Sequence, residues 1–138
     1  MRDVAYIALG SNLGDRERHL AQARDALARL PWSRVVAESS IEETPPLGQL
    51  EQPKYLNQMV ALETSLTPRE LLERLHAIED REGRVRSERW TSRTLDLDIV
   101  CFAEQTAKEP GLEVPHPGLA DRTFWQRELA ELRGNEAR

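Results

Sequence analysis

A single cysteine, Cys101, is all that 138 residues offer for sulfur chemistry. No intrachain disulfide can form, and no Cys-x-x-Cys pair exists to serve a redox or zinc site, which predicts a reducing, cytoplasmic setting. No apolar run approaches the ~20 residues of a membrane span. The apolar stretch near the start is too short for a secretory signal. The chain is therefore expected to be soluble, with no membrane partner. No Ser, His and Asp fall in an order that suggests a nucleophilic triad, and "GSNLG" (Gly10 to Gly14) lacks the lysine that a phosphate-binding P-loop requires. A surplus of basic residues is also missing. The formal charge is −5, which argues against nucleic acid as a partner. With no repeats, low-complexity tracts or linkers, and with 39% hydrophobic and 31% charged residues, residues 1–138 read as one globular domain.

The positive charge that is present is concentrated. Arg81, Arg84, Arg86, Arg89 and Arg93 face only Glu82 and Glu88 within the same segment, a local excess of three charges on an otherwise acidic chain. Such an island suits a small polyanionic ligand better than a long one.

Hydrophobic periodicity orders the rest. Val4 to Leu9 is a continuous apolar run, expected as a central strand. Leu20, Ala23, Leu27 and Leu30 form one helical stripe that stops near Pro31. Val35 to Ile41 reads as a second strand, "EETPPLGQLEQPKY" as a long loop, and Leu56 to Thr64 as a third strand. "TPRE" (Thr67 to Glu70) is a capping box with proline at the first helical position. It opens a helix with the buried stripe Leu71, Leu75 and Ile78 and a stop at Gly83. A strand follows in which Leu95, Leu97, Ile99 and Cys101 alternate toward the core, and a last helix is expected from about Ala120 to Leu132. The order β-α-β-β-α-β predicts an α+β, ferredoxin-like antiparallel sheet with helices on one face plus a short helical tail.

Asp96 and Asp98 interrupt that last strand's apolar character. Residues i and i+2 share one face about 6–7 Å apart, and a carboxylate pair there needs neutralisation. Read alone, the pair suits either a hard divalent cation or a solvent-facing match to the nearby arginines. Arg84, Arg86, Arg89 and Arg93 beside a magnesium-binding pair would supply the parts for nucleoside-triphosphate chemistry. His116, held between two prolines in "VPHPGL", could donate to a phosphate, with Arg122 close behind. The "TPPLG" segment, Tyr55 and Asn57 offer rigid backbone and an amide that can both donate and accept, as an amide-bearing heterocycle requires. Tyr55, Trp90 and Phe124 are available for stacking, or as ordinary core.

Together, "YIALGSNLGDR", "TPPLGQLEQPKYLN", "GRVRSERWTSRTLDLDIV" and "VPHPGLADRTF" closely resemble the 6-hydroxymethyl-7,8-dihydropterin pyrophosphokinases of folate biosynthesis, in the family's order, from Tyr6 to Phe124. The resemblance implies transfer of pyrophosphate from ATP to the pterin's hydroxymethyl oxygen with release of AMP. It implies that Asp96 and Asp98 hold two Mg2+ ions arriving with ATP, and that Arg84 and Arg93 act at the reacting centre. It further implies ATP contacts from Glu79, Arg86, Arg89, Trp90, Ile99, His116 and Arg122. Thr44, Pro45, Pro46, Leu47, Tyr55 and Asn57 would form the pterin side with Asp96, and Trp90 and Phe124 would bracket the ring. A monomer is expected.

This chain departs from the family pattern at Thr91-Ser92, where Gly-Pro is usual, and at Glu42, where an aromatic residue is usual. After Phe124 the charged "WQRELAELRGNEAR" replaces an apolar run and ends early. Two alternatives follow: a shortened relative that binds ATP and pterin with weak or altered activity, or a non-catalytic ferredoxin-like binding module. Against an RNA-binding module, the strands Val4–Leu9 and Leu56–Thr64 offer only Tyr6 as an aromatic surface.

Overall fold

The N-terminal apolar run forms β1 (Asp3–Ser11), the central strand of an antiparallel sheet, and it is buried on both faces. The computed structural model describes residues 2–45, 54–82 and 94–136. In chain order the further elements are α1 (Arg16–Ala28), β2 (Ser33–Glu38), β3 (Glu42–Thr44), β4 (Tyr55–Thr64), α2 (Pro68–Arg81), β5 (Asp96–Phe102), β6 (Ala107–Glu109), β7 (Leu112–Val114), a 3-10 turn (Pro117–Ala120) and α3 (Thr123–Glu136). The sheet order is β2-β4-β1-β5, with β3 also pairing on β4. Counting β2 and β3 as one interrupted strand, this is the expected ferredoxin-like order. β6 and β7 form a separate hairpin.

Both of the first two helices start at a side-chain cap, the second at the predicted capping box. The Asp15 side chain caps α1 by accepting from the Arg18 N–H at 3.1 Å. In α2 the Thr67 hydroxyl accepts the Glu70 N–H while the Glu70 carboxylate accepts the Thr67 N–H, a complete capping box. Leu20, Ala23 and Leu27 from α1 and Leu71, Leu75 and Ile78 from α2 pack on one sheet face against Ile7, Leu9, Val60, Leu62, Leu97 and Ile99. The expected stop at Gly83 lies outside the described residues.

Two expectations are corrected and one is completed. First, Glu42–Thr44 is not loop but the short strand β3, in register with β4 as Glu42↔Asn57, Glu43↔Leu56 and Thr44↔Tyr55. Proline removes backbone donors only from Pro45 onward, so the three residues before it remain free to join the ladder.

Second, the helical tail, whose place in the fold the sequence left open, takes the face opposite the two expected helices. Trp125, Leu129 and Leu132 of α3 bury the opposite face of the sheet against Tyr6, Ala8, Met59, Ala61, Val100 and Cys101, which makes three layers. Their spacing of four and three gives a narrow apolar stripe inside a charged helix, and small residues such as Ala8 and Ala61 let it approach closely.

Third, β5 does not alternate strictly. The register against β1 shifts between Tyr6↔Cys101 and Ile7↔Ile99, so Val100 is an inserted, bulged residue. Beyond it the faces exchange: Cys101 packs under α3 and Phe102 joins the α1/α2 core. Cys101 is still a buried residue, and burial pushes its thiol above the usual value despite the opposing effect of Arg133. It is a poor nucleophile in that setting.

Candidate active site

The α3 face of the sheet is covered only over part of its length. Past Trp125 it opens into a cavity of about 810 Å³, whose lining also takes in Leu97 and Ile99 from the other face and Leu72 and His76 of α2. Register explains its floor. Asp96, Gly10 and Asn57 lie side by side across β5, β1 and β4, and Asp98, Ala8 and Met59 form the next row. The two residues between the aspartates and β4 are therefore the smallest available. At Gly10 a Cβ would sit 3.3 Å from Asn57 Oδ1 and 3.4 Å from the Tyr55 ring, so any side chain there would intrude on both.

Asp96 and Asp98 line this cavity as half-buried residues, together with Thr44, Pro45, Tyr55, Asn57, Ile99, His116, Arg122 and Phe124. Residues predicted from opposite ends of the chain thus share one space. Asn57 is buried, and its Nδ2 donates to the Thr44 hydroxyl.

Glu79 occupies a different position. It is 1% exposed, it is absent from the cavity wall, and its Oε2 accepts the Leu97 N–H at 2.7 Å. A carboxylate in that place grips β5 at the residue between the two aspartates. Arg84, Arg86, Arg89, Trp90, Arg93, Pro46 and Leu47 lie outside the described residues.

His116 is placed by the bulge. Val100, left out of the β1 register, accepts the His116 N–H on its carbonyl at 2.8 Å. The imidazole Nδ1 accepts the Gly118 N–H at 2.9 Å, so the ring proton of the neutral form resides on Nε2, which faces Asp98 Oδ1 at 3.8 Å. Burial, and then the Arg122 charge, hold this histidine below its usual pKa, while Glu113 opposes them. At neutral pH it is a neutral donor aimed at the aspartate side of the cavity.

Trp125 organises this corner and is absent from the residues expected of the site. The Arg122 guanidinium lies 4.3 Å from the centre of its ring, and the His116 ring meets it edge-on at 4.9 Å. The available signal was Trp125's position three residues after Arg122, one turn along a helix. Gly118 permits the arrangement, since a Cβ there would lie 3.1 Å from both His116 Nδ1 and Arg122. The β6–β7 hairpin adds a further wall, Lys108 to Glu113, which sequence patterning did not assign.

The donor set at Asp96 and Asp98 fits magnesium. It offers hard oxygen ligands on one face, and magnesium takes one or two protein carboxylates and completes its shell with water and phosphate oxygens. Among the described residues, no group of three or more His, Cys, Asp or Glu side chains forms an all-protein metal cage. Among these residues, too, no helix is long and apolar enough to cross a membrane.

A family model described as 7,8-dihydro-6-hydroxymethylpterin-pyrophosphokinase (HPPK) matches residues 6–134. A Pseudomonas aeruginosa protein named 2-amino-4-hydroxy-6-hydroxymethyldihydropteridine pyrophosphokinase is 47% identical over 127 residues, covering 92% of this chain and 78% of its own length. The Bacillus subtilis protein of the same name is 46% identical over 132 residues, 96% of this chain and 79% of its own. That of Methylorubrum extorquens is 42% identical over 128 residues, 93% and 81% respectively.

Proposed function

Since this chain belongs to the 7,8-dihydro-6-hydroxymethylpterin-pyrophosphokinase family, it is an enzyme that transfers pyrophosphate from ATP to hydroxymethyldihydropterin in folate biosynthesis, and we propose how its residues divide that work. The observation that carries the division is the row Asp96–Gly10–Asn57, which puts a carboxylate and a heterocycle-recognising amide on either side of a gap floored by glycine.

The pterin hydroxymethyl oxygen attacks the β-phosphorus of ATP. The bond from that phosphorus to the α–β bridging oxygen breaks, AMP leaves with the bridging oxygen, and the hydroxyl proton is lost. Asn57 and Thr44 orient the pterin through its amide edge, with Pro45, Pro46 and Leu47 alongside and Tyr55, Phe124 and Trp90 against its ring. Asp96 is the aspartate nearer this wall and faces the attacking hydroxyl, and Asp98 lies one row further toward His116. Held by these two carboxylates and the phosphates, two magnesium ions would neutralise developing charge and acidify the hydroxyl.

His116 donates Nε2–H to a phosphate oxygen without adding a full charge, and Arg122, stacked on Trp125, adds one. Ile99 contributes apolar wall on the nucleotide side. Glu79 acts from beneath by holding β5. Arg84, Arg86, Arg89 and Arg93 complete the charge on the transferred group, with Arg84 and Arg93 at the reacting centre. Positioning and charge neutralisation supply most of the catalysis, because phosphoryl transfer needs little covalent help. The roles proposed above draw on residues of one chain, and a monomer is the working form in this reading.

Incubation of the protein with magnesium, ATP and 6-hydroxymethyl-7,8-dihydropterin tests this reading. The expected result is AMP formed in equal amount to pterin pyrophosphate, dependent on both magnesium and pterin. Tight binding of both ligands without AMP would instead favour a degenerate relative, a reading for which the charged sequence after Phe124 is the specific motive.

A further inference from the structure

Two acidic residues with no part in the chemistry above meet between α3 and β3. Glu128 is 2% exposed, no donor among the described residues reaches either of its carboxyl oxygens, and the Glu42 side chain lies within hydrogen-bonding reach of it. The charged groups facing it are Glu42 from β3, and Arg127 and Glu131 from its own helix. Arg127 donates to Glu42, and Glu131 accepts both the N–H and the hydroxyl of Ser40, at 2.9 and 3.0 Å. One turn of α3 therefore grips the chain just before and at the start of β3. That grip matters because β3 has only three residues and pairs, among the described residues, with β4 alone.

An ionised carboxyl can only accept hydrogen bonds, so two ionised carboxylates here would repel and leave Glu128 unsatisfied. One proton turns Glu128 into a donor and resolves both defects. Burial and the neighbouring Glu42 push Glu128 up to about 9, so it keeps its proton through neutral pH. The strand that Glu42 begins ends at Thr44, whose hydroxyl meets Asn57.

We propose that Glu128, in its protonated form, is a positioning residue for the pterin: its hydrogen bond to Glu42 seats β3 against α3 and thereby sets Thr44 beside Asn57. This rests on Thr44 and Asn57 being pterin contacts.

Equilibrium pterin binding, followed by the ligand's fluorescence from pH 7 to 10, tests it in wild type, Glu128→Gln and Glu128→Leu. Glutamine can donate to Glu42 but cannot titrate; leucine cannot donate. At pH 7, Glu128→Gln is expected to match wild type, and Glu128→Leu to bind about tenfold more weakly, the effect of one hydrogen bond. Wild type should lose affinity as pH passes about 9, while Glu128→Gln shows only the ligand's own titration, which is common to both. Parallel profiles for wild type and Glu128→Gln, or wild-type affinity in Glu128→Leu, would overturn the proposal. If the leucine variant does not fold, the glutamine comparison decides alone.

Thermal melts give a second readout. The group's folded value lies above its unfolded value of 4.5, so its stabilising contribution is present below that pH and is lost as pH rises toward about 9. The Tm of Glu128→Gln should therefore gain on that of wild type across this window, and a constant difference would contradict the protonated pair. Asn57→Leu in the same titration separates the two levels. Undiminished affinity there would remove the pterin-site reading and this proposal together, whereas lost affinity with parallel Glu128 profiles would sink this proposal alone.

Discussion

Replacing Asp96 or Asp98 by alanine is expected to lower pterin-dependent AMP formation by about 10²–10³-fold or more, the loss typical when one preorganised charge-stabilising group is removed from a site. The effect should fall on turnover, because the residues proposed to recognise the pterin sit mainly on β3 and β4, while the aspartates sit on β5. Pterin binding measured without nucleotide should change only a few-fold. Both aspartates are half-buried at an open part of the sheet rather than within its core, so the variants should melt close to wild type. Loss of activity accompanied by a collapsed Tm would mean that the pair is structural. The check is steady-state kinetics on variants shown by circular dichroism to be folded.

Asn57→Leu is expected to raise the pterin dissociation constant about 10²-fold and leave that for magnesium-ATP within a few-fold. Leucine fills similar volume but removes the donor and acceptor that an amide-bearing heterocycle requires. It also strips the Thr44 hydroxyl of its Nδ2 partner. Each polar group left unsatisfied in a buried site costs about 1–3 kcal/mol, and two such losses account for the expected factor. Asn57 is a buried residue at the cavity wall, so water cannot easily replace the missing amide. Calorimetric titration with each ligand separately provides the measurement. An equal loss for both ligands would point to a general distortion of the sheet instead of a pterin contact.

How legible the site was from sequence depended on whether a feature leaves a periodic trace. The stripes of α1 and α2, the Thr67 capping box and the same-face spacing of Asp96 and Asp98 all do, and each is present in the structure. The bulge at Val100 does not. "IVCF" is apolar throughout, so alternation there carries no parity, and only pairing with β1 shows that Cys101 and Phe102 exchange faces. That exchange had consequences for the site, since the carbonyl of the bulged residue holds His116. β3 escaped notice because three residues before two prolines are too short for a pattern. The third layer was obscured by composition: α3 is charged around most of its circumference, and three apolar residues sufficed because the sheet beneath offers Ala8 and Ala61. Glu79 was expected at the nucleotide on resemblance alone. Its carboxylate is buried and accepts the Leu97 N–H, a contact within the fold that neither charge nor spacing distinguishes from one to a ligand.

The proposed role of Asp96 and Asp98 as holders of a metal arriving with ATP is tested most directly by magnesium's effect on nucleotide affinity. Binding of a non-hydrolysable ATP analogue would be titrated with magnesium and with chelator, in wild type, Asp96→Ala and Asp98→Ala. The expected result is a large gain in affinity with magnesium for wild type, lost in both variants, with all three proteins alike in chelator. A gain of the same size in the variants would place the metal elsewhere and contradict the assignment.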